Sequence, residues 1–273
     1  MAKEVVSKQL ATENIPLSYL DTDEDLTADS DLKIPSQKAI KAYVDATAGG
    51  GEGFNPTTTV ELYEEFTGST VEGGSRFSGN LLWFIIRGAG WGALTEPNSV
   101  VNRIGVVSID SGASAYNGLV LQLLGVQGKA LVKGGQTNYS MLFSIANVGN
   151  PDGWGHFRAG LMPYNSIYDD PTNGIFFRVY GGENWKAVTR NGGTETSTDT
   201  GIAHSTTYKN FKIESNSEGN SIKFYIDGNL VATHTTNITT ADLSPSFQSS
   251  TNTSTSYSLL VDYMLFRITG LTR

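Results

Sequence analysis

The chain has 273 residues, 19 basic and 27 acidic, a net charge of −8 and no cysteine. That length holds one large domain or two ordinary ones. The acidic balance, 5 basic against 9 acidic residues in the first fifty and 14 against 18 beyond, excludes the basic footprint of a nucleic-acid binder and any electrostatic pull toward an anionic membrane, and the missing thiols exclude disulfides, thiolate metal sites and a cysteine nucleophile.

The N-terminus, MAKEVVSKQLATENI, lacks the apolar core of a signal peptide. The longest apolar run, LLWFII at 81–86, is far short of a membrane span. Synthesis in a cytoplasm is therefore expected, with lysis or a secretion machine delivering the protein to any outside site. Residues 3–12 read as a short helix with Val5, Val6 and Leu10 on one side, ended by Pro16. From Asp21 to Asp31 there are six acidic residues and no basic one. A second helix is expected over 36–46, with Ser30 or Ser36 as its cap and Pro35 at its start. Ile40 and Val44 are four apart and Ile40 and Tyr43 three apart, so they share a face. A helix of about ten residues is marginal alone in water. Copies from other chains are the simplest cover for Ile34, Ile40, Tyr43 and Val44, which makes residues 1–48 an oligomerisation and attachment segment. One and a half heptads do not by themselves specify the number of chains.

Gly49, Gly50, Gly51 and Gly53 mark a hinge, and 49–59 a linker. Only Tyr19 and Tyr43, of 12 Phe, 12 Tyr and 4 Trp, precede residue 51, so the core belongs to residues 60–273. There helical periodicity gives way to short strands: 81–87, 104–109, 118–124, 130–133, 140–148, 156–161, 174–180, 185–189, 210–214, 221–226, 230–236 and 258–268. In SIKFYIDGNLVATH, Ile222, Phe224 and Ile226 alternate with Ser221, Lys223 and Tyr225. Asp227-Gly228-Asn229 supplies the hairpin turn, and Leu230 and Ala232 continue the return. Thr194–Thr207 and Ser249–Ser258 are Ser/Thr-rich and read as loops and polar strand faces. The expected fold is mainly β, an antiparallel sandwich.

Two segments carry family resemblances. YLDTDEDLTADSDLKIPSQKAIKAYVDA, residues 19–46, resembles the connector of tail fibres and receptor-binding proteins of tailed bacteriophages, with Glu24 and Asp29 where that pattern has Gly and Asn. NFKIESNSEGNSIKFYIDGNLVATH with SLLVDYMLFRITG resembles the concanavalin A-like lectin and laminin-G jelly-roll superfamily. Together they imply a virion fibre or decoration subunit: an N-terminal part attached to other virion proteins, mostly trimeric in such families, and a jelly-roll head. The implied role is multivalent adhesion to a host-surface polysaccharide. A purely structural head or neck fibre and a polysaccharide depolymerase are the alternatives.

The residues call for no cofactor, no metal and no catalytic group. Counted from Asp21, a calcium loop would need Gly at Leu26 and Glu at Leu32. Gly88, Gly90 and Gly92 follow a strand with no helix pattern after them, so they read as a turn and not a dinucleotide site. Glycosidases on the implied fold cluster carboxylates on one strand, and a retaining pair sits about 5 Å apart. Glu64-Glu65 and Asp169-Asp170 are adjacent in sequence and point to opposite faces, and Asp262 is alone on its strand. His156, His204 and His234 read as exposed structural residues. The loop 149–174 carries Trp154, Tyr164 and Tyr168 among Asn, Asp and Gly. With Trp185 these are the expected platforms for stacking on sugar rings, against the plainer reading that they fill the core.

Overall fold

A computed structural model describes residues 20–21, 34–35, 58–66, 70–72, 76–78, 81–87, 93–95, 103, 105–123, 132–133, 138–148, 155–163 and 169–271. The chain divides into two compact units, Met1–Pro56 and Thr57–Arg273. In the first, β1 (Leu20–Asp21) pairs in parallel with β2 (Ile34–Pro35), which makes Ile34 extended. The helices expected over 3–12 and 36–46, with Ile40, Tyr43 and Val44, lie outside the described residues. So do the glycine hinge and the turn at Gly88, Gly90 and Gly92.

In the second unit the strands begin with β3 (Val60–Glu64), β4 (Thr70–Glu72), β5 (Arg76–Ser78), β6 (Leu82–Arg87), β7 (Leu94–Thr95), β8 (Val107–Asp110), β9 (Asn117–Leu123) and β10 (Val132–Lys133). Next come β11 (Tyr139–Val148), β12 (Gly155–Met162), β13 (Gly174–Tyr180), β14 (Asn184–Asn191) and β15 (Thr194–Ala203). The last are β16 (Lys209–Ser215), β17 (Ile222–Ile226), β18 (Asn229–His234), β19 (Asp242–Thr251) and β20 (Ser258–Ile268). They form two antiparallel sheets that make a sandwich. The large sheet has the order β15-β14-β13-β12-β19-β9-β6-β5-β4, with β10 on β19. The small sheet has the order β18-β17-β16-β11-β20-β8-β7, with β3 on β20.

Alternation along the strands builds the core. Phe157, Ala159 and Leu161 of β12 and Ile175, Phe177 and Val179 of β13 point inward from the large sheet. Met141, Phe143 and Ile145 of β11, Phe211 and Ile213 of β16, and Ile222, Phe224 and Ile226 of β17 meet them from the small one. The rings of Phe143 and Phe211 stack with centroids 5.6 Å apart, and Phe177 meets Phe211 edge-on at 4.9 Å and Phe224 at 5.2 Å. Trp185 joins this cluster. It is 1% exposed, with its ring 5.0 Å from that of Phe211. The sugar-platform expectation for Trp185 is thus corrected: it shares the inward parity of Ala187, and no pyranose reaches it.

Thr194–Ala203 and the end of β19 are polar strands, and 252–257 is a loop, as the Ser/Thr-rich sequence reads. Other expectations are corrected: β19, with the serine-rich sequence DLSPSFQSST, covers 242–248, where the sequence predicts no strand, and is central, between β12 and β9. Its inner face holds Leu243, Phe247 and Ser249; the outer Ser246, Gln248 and Ser250 are polar yet buried. On one side of β19, Pro245 falls between the β10 pairing at Asp242–Leu243 and the β9 pairing at Ser246, so its missing N–H breaks neither of those ladders; on the other side it lies opposite Leu161 of β12. His234 is buried, not exposed. Its Nδ1 lies 3.1 Å from Thr189 Oγ1 and its Nε2 2.9 Å from Thr198 Oγ1, tying the β18 edge of one sheet to β14 and β15 of the other. The turn of the expected hairpin has Asp227 at φ 50° and Gly228 at φ 79°, as its sequence requires. The return is different, because the register shifts between Phe224 and Tyr225, pairing Tyr225 with Leu230. Leu230 is thereby turned outward and is 54% exposed.

Glu64 is structural. Its buried carboxylate accepts hydrogen bonds from the Phe66 N–H at 2.8 Å, the Leu81 N–H at 2.7 Å and the Trp83 indole N–H at 3.1 Å. That joins the end of β3 to the start of β6. Next to it, β3 pairs with β20 from Val60↔Ile268 to Glu64↔Met264, and the Leu271 N–H reaches the Thr58 carbonyl at 2.9 Å.

Candidate functional site

The outward parity of four neighbouring strands places charge and aromatic surface together. β12 contributes His156 and Arg158, β13 Arg178 and Tyr180, β14 Lys186 and Arg190, and β15 Glu195. Arg158 stands opposite Arg178, which stands opposite Lys186, so three cations lie side by side across three strands. Like charges in such positions repel. Two carboxylates offset this. Asp170, from the connection between β12 and β13, accepts from Arg158 Nε at 2.6 Å and from Arg178 Nη1. Glu195 accepts from both terminal nitrogens of Arg178, each at 2.8 Å. Arg190 lies 3.3 Å from Asp170 and 3.4 Å from Glu195.

Tyr180 sits over this network. Its hydroxyl accepts from Arg158 Nη2 at 3.2 Å, and the Arg178 guanidinium is 4.8 Å from the ring centre. Opposite it on β12, His156 packs on the Tyr180 ring at 4.3 Å. Both rings are half-buried. Beside His156 on β19 is Ser250, whose Oγ is buried without a hydrogen-bond partner among the described residues. On the row through Gly160, a Cβ at that residue (φ 149°) would lie 2.6 Å from the Ile175 carbonyl oxygen. Only glycine lets β12 approach β13 there.

The protonation states follow from these neighbours. Burial alone would raise the Asp170 carboxyl, but Arg158, Arg178 and the Tyr180 hydroxyl outweigh it and hold the group below its ordinary value. Burial pushes the Tyr180 phenol up to about 12. Burial and then Arg158 bring His156 down to about 4. At neutral pH the site therefore presents a carboxylate, a neutral imidazole and a neutral phenol. Asp170, held ionised, has no proton to give as a general acid. Among the described residues no cluster of His, Asp or Glu is placed to hold a metal ion.

His156 yields a pH prediction. Its folded value lies below 6.5, so as pH falls the unfolded chain takes up the proton first. The stabilisation this residue contributes is present above pH 6.5 and drains away between about 6.5 and 4. Urea midpoints should fall across that window, and His156→Phe should flatten the fall. A His156 NMR titration with a midpoint near 6.5 would contradict the geometry.

Of the residues expected to contact sugar, Trp185 is in the core, and Trp154, Tyr164 and Tyr168 lie outside the described residues. Sequence reasoning passed over Arg158, Arg178, Arg190, Tyr180 and Glu195. The available signal was parity: in HFRAGLM, GIFFRVY and NWKAVTRN the cations fall opposite the apolar residues of otherwise buried strands.

A family model described as SO2946-like, C-terminal domain, matches residues 102–262, which contain the whole cluster. Among solved structures, the chain is similar to a protein of unknown function, SO2946 from Shewanella oneidensis MR-1. The TM-score is 0.56 with 14% identity, covering 80% of this chain and 90% of that one. The carbohydrate recognition domain of Emp47p matches with a TM-score of 0.52 and 13% identity over 80% of this chain and 100% of its own. The binding domain of botulinum neurotoxin DC, solved in complex with SialylT, matches with a TM-score of 0.51 and 10% identity over 77% of this chain and 48% of its own. At these identities the likeness is one of fold: a lectin-type jelly-roll sandwich. No curated protein sequence matches the chain.

Proposed function

The chain belongs to the family of SO2946-like C-terminal domains, and we propose that its sandwich is a non-enzymatic glycan-binding head carried by a bacteriophage fibre or decoration protein. The observation that carries the glycan reading is the half-buried Tyr180–His156 ring pair fixed among Arg158, Arg178, Asp170 and Glu195. A pyranose offers an apolar C–H face to a ring and hydroxyls to charged donors and acceptors at its edge. This site has both, with every charge already paired, so it orients hydroxyls without moving protons. Trp154, Tyr164 and Tyr168, on the segments flanking β12, add aromatic surface in this reading.

The virion reading rests on the connector-like residues 19–46. In it, residues 1–48 attach the chain to other virion proteins and, through Ile34, Ile40, Tyr43 and Val44, assemble it into a homotrimer. Avidity then comes from linked weak sites, which raises binding about 10²–10⁴-fold without new contacts.

The test is a glycan array probed with the full chain, followed by titration of the best ligand. Tyr180→Ala should weaken binding at least about tenfold, or about 1.4 kcal/mol, and the viscosity of the bound polysaccharide should not change. No binding to any host polysaccharide would remove the adhesion reading, and falling viscosity would replace it with a depolymerase. A monomer by light scattering would remove the trimeric stalk.

A further inference from the structure

The outer face of the small sheet carries an apolar row that runs across the strands. Tyr63 of β3 pairs with Leu265 of β20, and Leu265 with Leu142 of β11. Leu142 pairs with Lys212 of β16, Lys212 with Tyr225 of β17, and Tyr225 with Leu230 of β18. One side chain from each of six adjacent strands thus stands in line. With strands about 4.8 Å apart, the line is roughly 24 Å long. Its ends are the most open: Tyr63 is 46% exposed and Leu230 54%. The single cation in it, Lys212, lies with its ammonium 5.3 Å from the Tyr225 ring centre.

The β-bulge makes this row. Strict alternation from Ala232 and His234 would send Leu230 into the core. The register shift at Tyr225 uses one extra residue to put a leucine in solvent, against the hydrophobic preference of that side chain. Bulges re-aim side chains in this way, and they do so beside functional surfaces.

The next row over consists of Glu61, Arg267, Ser140, Glu214, Lys223 and Thr233, one from each of the same strands. Its charges alternate and sum to zero. Arg267 is bound to Glu61 at 2.7 Å, and Glu214 to Lys212 at 3.2 Å. Nothing here selects a charged ligand. The row is also one side chain wide, too narrow for the roughly 800 Å² per partner of a stable protein interface. An extended peptide crossing the strands would bring backbone N–H and C=O groups that need partners, and Glu61, Arg267 and Glu214 of the flanking row are already engaged in ion pairs. A sugar chain lays apolar faces on the row and keeps its hydroxyls toward water and the polar rim, and one pyranose is close to one strand spacing in length.

We propose that this row is a second glycan-binding surface, taking a single neutral, linear polysaccharide chain that lies across six strands. It rests on the glycan reading of the domain but on different residues, from the opposite sheet.

The experiment titrates the full chain with neutral glucose, mannose and galactose oligosaccharides of two to six units, in three forms: intact, Tyr180→Ala, and Tyr63→Ser with Leu230→Ser. The two serines replace exposed side chains, and NMR spectra establish that the fold is retained. The expected result is an affinity that rises with chain length up to the hexasaccharide, and a loss of at least about tenfold for the hexasaccharide in the double-serine form with the disaccharide unchanged. Hexasaccharide binding unaltered by the serines, but lost in Tyr180→Ala, overturns the second surface and leaves the first. Binding of charged oligosaccharides alone overturns it too. No glycan binding by the intact chain overturns both. If the serines change only the sedimentation, the row is a contact between copies and the proposal fails.

Discussion

Arg178→Met lowers the unfolding free energy by about 3–5 kcal/mol at neutral pH, the cost of breaking a buried ion pair from one side. The methionine fills much of the same space, so the loss is electrostatic. Arg178 holds Asp170 and both oxygens of Glu195 with a side chain only 9% exposed. Without it, the two carboxylates face each other with Arg158 and the more distant Arg190 as their remaining cations. The pH dependence identifies the cause. Asp170 lies below its ordinary value in the intact protein, so its contribution is present at neutral pH and is lost as pH falls through the folded value. The intact protein and the Arg178→Met variant should therefore converge in urea midpoint as the pH drops through the acid range in which Asp170 takes up its proton. Lys209→Met, at an exposed pair with Asp227, should cost less than about 1 kcal/mol. An Arg178→Met penalty that persists at acid pH would assign the loss to packing.

Phe143→Ala should cost a similar amount, about 3–5 kcal/mol, by opening a cavity where the two sheets meet. Phe143 comes from the small sheet. Its ring is parallel to that of Phe211 beside it and edge-on to Phe177 and Phe247 of the large sheet, at 6.3 Å and 5.5 Å. Deleting it removes two of the ring contacts by which the aromatic layers of the two sheets interlock. Phe143→Leu keeps most of the volume and should cost about 1–2 kcal/mol. Calorimetry or urea titration of the two variants separates volume from ring geometry, and equal losses would mean that the ring contacts, not the filled space, dominate.

The strands legible in the sequence are those whose apolar and β-branched content is high, whether one face is polar or both are buried. Gly174–Tyr180, a nearly continuous apolar run, and Ser258–Ile268, which mostly alternates, both fall where the sequence puts them. β19 is illegible because its outer face is serine and glutamine and its inner face includes Ser249. Its apolar content is low, yet its place is central because both neighbours pair with it. Leu230 misleads because a bulge reverses parity and leaves no local sign. Trp185 reads as a platform since NWKAV alternates either way, and only the opposing Phe211 decides which parity is inside. The candidate site has a sequence signal in its cations, but none in its pairing. Asp170 and Glu195 reach Arg178 from different segments, and nothing in their spacing connects them.

The pairing of β3 with β20 has a mechanical consequence. Tension carried along the chain into the sandwich arrives at Thr58, at the free end of a ladder whose first backbone bonds run to Leu271 and Ile268. Pulled from there across the ladder, β3 is expected to peel, its bonds opening one at a time from Val60. Peeling meets resistance at Glu64, whose carboxylate is clamped by three N–H groups, two of them at the start of β6. These must break together before the load reaches the core. The first strand is thus the outermost part of the sandwich to open under load from that end, and Glu64 marks where the opening is checked.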